Sequence, residues 1–359
     1  MKVAIIGAGL AGLACAHELE RYAVNATIIE RNSFIGEAFS HVGAVLEVIS
    51  RPTSKPLDYF KYNLGIDVKP IHTVKKVIHH SPNKTTVIGG NLGYFFERSK
   101  EPMDVKVQIF SKLKKTKIIY NTFGDYEKLA QEYDYVVIAN GNPDYTNELG
   151  CWIPWVNTFV KGATVLGNFD AGTLMVWLNK DYCKNGYVYL TPFDSTRASL
   201  VLVATDVTEK EIDHFWELFL YSEKITYTIV EEFKISHKSG YVYPHKVNNI
   251  YFAGNAGGSI DPFLGFGVAN SLISGVMSAR SIVNNTDYEK LLSKVVQRNC
   301  ELLNLRKGFN GLDNASYDKL VTLIGMPVIK QLTYYTPINI IKHGSQIIAL
   351  KNMFVHKNK

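Results

Sequence analysis

Cysteine is scarce in this chain. The four present, Cys15, Cys151, Cys183 and Cys300, lie too far apart for a metal knuckle. So few thiols in so long a chain require no disulfide framework, which leaves a reducing, cytoplasmic setting as the default. Long apolar runs are missing too: no stretch of eighteen or more apolar residues is free of charge, and this argues against a spanning helix. Almost no chain precedes the first strand-like run, Val3 to Ile6, so no signal or transit segment is expected ahead of it. An excess of positive charge is also missing from most of the chain. The net charge is +6, yet 28 Lys or Arg stand against 30 Asp or Glu before Lys290, and 11 against 3 from Lys290 onward. That distribution argues against nucleic acid as a partner. The basic end suits a peripheral contact with an anionic surface, such as the inner face of a membrane, and equally suits a solvated helical face with no partner.

What is present is organised around the first thirty residues. The run Val3 to Ile6 opens into Gly7-Ala8-Gly9-Leu10-Ala11-Gly12 and an apolar-striped helical segment; a second run, Ala26 to Ile29, ends at Glu30. Strand, glycine turn, helix, strand and terminal acid in that order form the fingerprint of an adenine-dinucleotide site. Gly7 permits the tight turn, Gly9 lets the backbone approach a pyrophosphate, and Gly12 lets helix and strand pack closely. Glu30 would accept hydrogen bonds from the adenosine ribose.

At 359 residues the chain is long enough for two domains. Glu37 to Ser50 reads as a helix or a partly buried loop, and Arg51 to Lys55 as a connection. Asp67 to Phe96 is β-rich, with turns at Ser81-Pro82-Asn83 and Gly89-Gly90-Asn91. Glu101 to Lys115 reads as a helix, Lys117 to Asn121 as a strand, Glu127 to Gln131 as a brief helix, and Tyr135 to Ala139 as an apolar strand. That last strand ends in Asn140-Gly141, placed either to meet the same dinucleotide or to make a simple turn. From Thr158 to Pro244 short strand-like runs suggest an antiparallel sheet, interrupted by a helix at Glu209 to Tyr221. Its aromatics Phe169, Trp177, Tyr187, Tyr189 and Phe193 either line an apolar cavity or fill the sheet core. Tyr251 to Ala253 then leads into the glycine-rich stretch Gly254 to Gly267 and a small-residue helix, Val268 to Val283. Glycines at that density suit a backbone that passes close to a flat or charged ligand.

These three motifs together give the chain a resemblance to the FAD-dependent geranylgeranyl reductases, within the superfamily of flavin aromatic hydroxylases and flavin-dependent halogenases. The residues that carry it are Gly254, Asn255, Gly257, Pro262, Gly265 and Gly267, together with Tyr94 to Arg98 followed by Asp104, over most of residues 1–290. Two departures stand out: Asn255 replaces the family's usual acidic residue, and Asn140-Gly141 replaces its frequent Asp-Gly. A halogenase is disfavoured, because the Trp-x-Trp-x-Ile pattern is not met by Cys151-Trp152-Ile153-Pro154-Trp155.

The resemblance implies an α/β fold: a Rossmann-like FAD-binding domain from residues 1–50, 92–145 and 245–290, an inserted antiparallel-sheet substrate domain from 51–91 and 146–244, and a helical C-terminal region from 291–359. It implies FAD held by Gly7, Gly9, Gly12, Glu30, Arg31, Arg98, Asn140, Gly141, Gly254, Asn255, Pro262, Gly265 and Gly267, and a prenyl or isoprenoid-lipid substrate near Trp177, Tyr187, Tyr189 and Phe193. The expected reaction is reduction of carbon–carbon double bonds, with electrons from NAD(P)H or a ferredoxin-like donor. An aromatic monooxygenase, and a noncatalytic flavin- or lipid-binding protein, are the alternatives. No His, Cys or acidic residue can be assigned from the sequence as the proton donor.

Overall fold

The apolar run Lys2–Ile6 becomes the middle of a six-stranded sheet, in spatial order Lys246–Val247, Ile250–Phe252, Tyr135–Ile138, Lys2–Ile6, Asn25–Ile29 and Lys117–Ile119. The computed structural model describes residues 1–36, 38–50, 55–336, 338–339 and 341–346. Five of the six strands run parallel, and the short strand Lys246–Val247 is antiparallel. Parallel strands must be covered on both faces, so their sequences are continuously rather than alternately apolar: Val3, Ala4, Ile5, Val136, Val137 and Ile138 are all fully buried.

Helix Leu10–Arg21 follows the first strand at once and packs against helix Val268–Asn284. The contact is close because the facing residues are small. A Cβ built on Gly275 would lie 2.1 Å from the Ala11 carbonyl oxygen. Tyr288 locks the pair from the next helix, its hydroxyl donating to the Phe252 carbonyl at 3.0 Å. Residues separated by most of the chain therefore build one domain.

An eight-stranded sheet forms the second layer, in the order Thr228–Val242, Trp152–Leu166, Arg197–Thr205, Tyr187–Pro192, Thr173–Trp177, His72–Ser81, Lys84–Arg98 and His41–Leu46. Its pairing is antiparallel except between His72–Ser81 and Thr173–Trp177. Side chains alternate across it. Trp177, Val188, Leu190 and Leu200 pack with Ile212, Phe215, Trp216 and Phe219 of helix Glu211–Ser222, while Leu174, Val176, Leu178, Tyr187 and Tyr189 face a large cavity. Helices Tyr288–Asn310, Asn314–Gly325 and Pro327–Tyr334 follow, with a further helical segment at 341–346.

Several local expectations are revised. His41–Leu46, expected as helix or loop, is a strand paired with Lys84–Arg98; the run HVGAVL offers no helical stripe and finds hydrogen bonds at a sheet edge. Gly89-Gly90-Asn91 is no turn. It is the irregularity where Val74 pairs with Gly93 while Lys76 pairs with Gly89, and Gly90 and Gly93 supply φ values of 145° and 151° that L-residues rarely adopt. The helix expected over 101–115 is confined to Val105–Phe110, begun by Asp104, whose side chain accepts from the Lys106 and Val107 N–H groups. The strands Trp152–Leu166 and Thr228–Val242 are far longer than the sequence suggests. Both lie toward one sheet edge, where Glu231, Glu232, Lys234 and Lys238 face water and break the apolar pattern. Residues 51–54 and 347–359, with Glu37, Pro337 and Ile340, lie outside the described residues.

The helix contact yields a stability prediction. Gly275→Ala places a methyl group against backbone that cannot swing aside, and is expected to lower the unfolding free energy by about 1–3 kcal/mol. Urea unfolding midpoints of the purified variant and wild type check it.

Candidate functional site

The register of the six-stranded sheet brings the strand ends together. Ile6, Ile29 and Ile138 are level, and three backbone bonds continue the ladder past them: Gly7 N–H to the Ile29 carbonyl at 2.8 Å, Ala139 N–H to Ile6 at 2.9 Å, and Ala253 N–H to Ile138 at 2.9 Å. Gly7, Glu30, Asn140 and Gly254 therefore emerge side by side at the carboxyl edge of a parallel sheet, where open α/β sheets take their ligands.

Each glycine of the first turn answers a different constraint. Gly7 has φ 102°, and a Cβ there would sit 2.6 Å from the Ala139 carbonyl oxygen; a Cβ on Gly12 would sit 2.0 Å from the Gly7 carbonyl oxygen. Gly9 is different: the nearest atom to its would-be Cβ is 3.7 Å away, so its open side faces the cavity. Glu30 is buried, and its carboxylate accepts from the Ala8 N–H at 2.7 Å and the Asn32 N–H at 2.8 Å. Helices Leu10–Arg21 and Val268–Asn284 both begin at glycine, with no side-chain cap and no acidic residue in the first turn. Their first N–H groups are thus left without side-chain acceptors, an arrangement suited to anions.

The later motifs converge on the same place. The Asn255 carboxamide donates to the Gly141 carbonyl at 3.2 Å, and its Oδ1 lies 3.5 Å from where a Gly267 Cβ would be. Asn140 lines the cavity and donates to Asn142 Oδ1 at 3.0 Å, while its own Oδ1 is buried without a partner among the described residues. Arg31 and Arg98 also line the cavity, with Arg98 Nε 4.0 Å from the Asp104 carboxylate. Pro262 lies beside the wall, within the segment that holds Gly265 and Gly267.

Two features of this segment escaped sequence reasoning. Asp261 is 3% exposed and organises the turn by accepting from the N–H groups of Phe263 (2.9 Å), Leu264 (2.7 Å) and Phe266 (2.7 Å). Burial pushes its carboxyl above the usual range, and these backbone donors pull against that shift. The Asp-Pro pair before two glycines was the available signal. The second feature is histidine. His41, His79 and His237 all line the cavity, and burial pulls His79 and His237 down to about 4, with His80 adding to the effect at His79. Both rings are neutral at pH 7. The His237 ring lies 2.9 Å from the position of a Gly265 Cβ, and no spacing in the sequence links these residues.

The four expected substrate aromatics separate. Tyr187 and Tyr189 line the cavity. Trp177 points to the opposite face of the sheet and stacks on His80 at 5.2 Å, and Phe193 is buried among Val42, Val74, Val77 and Leu174. Tyr187 is also tied to the glycine segment, its hydroxyl donating to the Leu264 carbonyl. Phe169 is buried in the same core as Trp177 and packs on Tyr227, away from the cavity.

The family of pyridine nucleotide-disulphide oxidoreductases matches residues 1–151. Among solved structures, a geranylgeranyl bacteriochlorophyll reductase-like protein of Thermoplasma acidophilum is similar over 97% of this chain and 98% of its own, with TM-score 0.75 and 14% identity. A flavin-dependent brominase is similar over 100% of both chains, with TM-score 0.65 and 14% identity. The p-nitrophenol 4-monooxygenase of Pseudomonas putida is similar over 92% of this chain and 96% of its own, with TM-score 0.66 and 13% identity. The fold is shared with these three proteins. FAD as the cofactor agrees with the flavin-dependent neighbours, and the site fits it: an open approach at Gly9, two uncapped helix starts and a buried acid at Glu30.

Two glycine substitutions separate folding from cofactor retention. Gly12→Ala is expected to destabilise the protein, because its methyl group meets backbone at 2.0 Å. Gly9→Ala is expected to keep the wild-type unfolding midpoint and to lose about tenfold or more in FAD affinity, since its methyl group intrudes on the cavity alone. Thermal unfolding and FAD titration of both variants check the pair.

Proposed function

We propose that this chain is an FAD-dependent oxidoreductase that reduces carbon–carbon double bonds of an isoprenoid or isoprenoid lipid. The observation that carries this reading is the size and course of the cavity. At about 2080 Å³ it exceeds the roughly 300–1,000 Å³ of a single small-molecule pocket. It runs from the glycine cradle past Val176, Leu178 and Tyr189 to Phe309, Leu320 and Ile324 of the C-terminal helices. That passage suits a long apolar substrate laid against the ring end of a dinucleotide. The fold shared with the reductase-like protein of Thermoplasma acidophilum supports the same reading.

The chemistry supplied by bound FAD is hydride transfer, with electrons reaching it from NAD(P)H or a ferredoxin-like donor. In this reading Glu30, Gly9 and the two helix starts hold the dinucleotide, and Asn140 and Asn255 bond its polar chain. The segment 261–267 presents backbone to the ring, and the aliphatic wall orients the alkene and excludes water. His79 and His237 line the cavity and are neutral at pH 7, so neither holds a proton ready for the alkene. Incubating the purified protein with dithionite-reduced FAD and geranylgeranyl substrates is expected to give products heavier by two hydrogens per reduced bond, read by mass spectrometry. No such gain across diverse prenyl substrates overturns the reading. NAD(P)H consumption coupled to oxygen incorporation would favour an aromatic monooxygenase, and flavin that reduces but never passes electrons on would favour a binding protein.

The reading extends to a membrane surface. Among the described residues no helix is long and apolar enough to cross a bilayer. Helices Asn314–Gly325 and Pro327–Tyr334 nonetheless expose Leu323, Met326, Val328 and Leu332, with Val328 69% exposed, while Ile324 and Tyr334 of the same helices line the cavity. Lys319 and Lys342 stand exposed nearby in the chain. An apolar face with lysines beside it suits the interfacial region of an anionic membrane, and places the cavity near its substrate. The protein is expected to float with anionic vesicles at low salt, less so as salt rises, and Val328→Glu with Leu332→Glu is expected to reduce flotation severalfold. Failure of the FAD-loaded protein to float at low salt overturns the membrane contact and leaves the reductase reading standing.

A further inference from the structure

The segment 261–267 is gripped from outside its own domain. Two successive carbonyls, those of Phe263 and Leu264, accept hydrogen bonds from remote side chains: Arg306 Nη1 donates to Phe263 at 3.0 Å, and the Tyr187 hydroxyl donates to Leu264. Arg306 belongs to helix Tyr288–Asn310 and Tyr187 to the eight-stranded sheet. The other guanidinium nitrogen, Nη2, donates to the Asn185 carbonyl and to Thr205 Oγ1, both in or beside that sheet. One side chain therefore joins the C-terminal helix, the sheet and the glycine segment.

Arg306 is also unusual in its charge. It is 3% exposed, and no carboxylate lies within ion-pairing distance of it among the described residues. Hydrogen bonds to two carbonyls and a hydroxyl engage its two terminal nitrogens, Nε is buried without a partner among the described residues, and nothing in contact neutralises the charge; a buried cation held that way is costly. Phe263, Leu264, Gly265, Phe266 and Gly267 line the cavity whereas Arg306 does not, so the charge stands behind the segment. Asp261 holds the same turn from within, through its three N–H donors.

We propose that Arg306 and Tyr187 are positioning residues for the flavin: together they fix the segment 261–267 against the cofactor, and the Arg306 charge favours the reduced flavin, which carries additional negative charge. The proposal rests on the FAD reading. It also explains why the C-terminal helix belongs to the redox site, although it contributes nothing to the dinucleotide fingerprint. A fixed positive charge outside water acts on a charge that develops on the cofactor more strongly than an exposed one would.

The test uses the full-length, FAD-loaded protein, with FAD affinity measured by titration and midpoint potential by dye equilibration. Arg306→Met is expected to raise the FAD Kd about tenfold and to move the potential to more negative values. Arg306→Lys, which keeps the charge but not the forked geometry, is expected to restore the potential and not the affinity. Tyr187→Phe is expected to raise Kd severalfold with the potential near wild type. A folded Arg306→Met protein with wild-type Kd and potential overturns the proposal. If that variant does not fold, wild-type FAD affinity in both Arg306→Lys and Tyr187→Phe overturns it. Absence of FAD binding by the wild type removes the cofactor reading and this proposal with it, whereas wild-type binding with unchanged variants removes this proposal alone.

Discussion

Four parallel strands that end at one level are the constraint on which the rest of this molecule depends. Because Ile6, Ile29 and Ile138 share a register and the ladder carries on through Gly7, Ala139 and Ala253, backbone from four parts of the chain must pass through one small volume. Side chains do not fit there, and Gly7, Gly12 and Gly254 are the result. The same crowding recurs one layer out, where Gly275 lets helix Val268–Asn284 settle on Ala11. Close packing of backbone on backbone leaves two helix starts on one cavity without side-chain caps, so the requirement for tight assembly and the capacity to hold an anionic ligand arise from one arrangement.

The eight-stranded sheet solves a different problem. Its two faces bear different loads: one is filled by Trp216, Phe219 and their neighbours, and the other is left to line the cavity. A one-residue change of register would exchange them. Tyr187 and Tyr189 reach the cavity, while Trp177, also at an odd position, turns away, because Thr173–Trp177 carries its even residues Leu174 and Val176 toward the cavity instead.

Buried polar groups tie the two layers together. Asp261, Tyr187 and Arg306 converge on seven residues of irregular backbone, which gains its order from side-chain hydrogen bonds where no helix or sheet ladder is available. Arg298 acts similarly farther along the same helix face, donating to the Ile49 carbonyl at 2.6 Å and to Asn339 Oδ1 at 2.8 Å. Helix Tyr288–Asn310 is consequently a structural partner of both sheets.

Local chemistry made much of this legible. A strand followed by spaced glycines and an acid 18 residues beyond Gly12 defines a βαβ unit whatever surrounds it, since each residue type answers a backbone requirement within thirty residues. Asn140 and Asn255 were identifiable for the same reason, each following a short apolar strand. Tertiary structure decided what depends on partners far away in the chain. His41–Leu46 became a strand because Lys84–Arg98 offered an edge, and the long strands Trp152–Leu166 and Thr228–Val242 formed although their exposed charges conceal the pattern. The faces taken by Trp177 and Phe193, and the meeting of His237 with Gly265 and of Arg306 with Phe263, were likewise set by register and packing between segments. A residue's own neighbours in sequence carry no record of such contacts, because the distance that matters is closed by the fold itself.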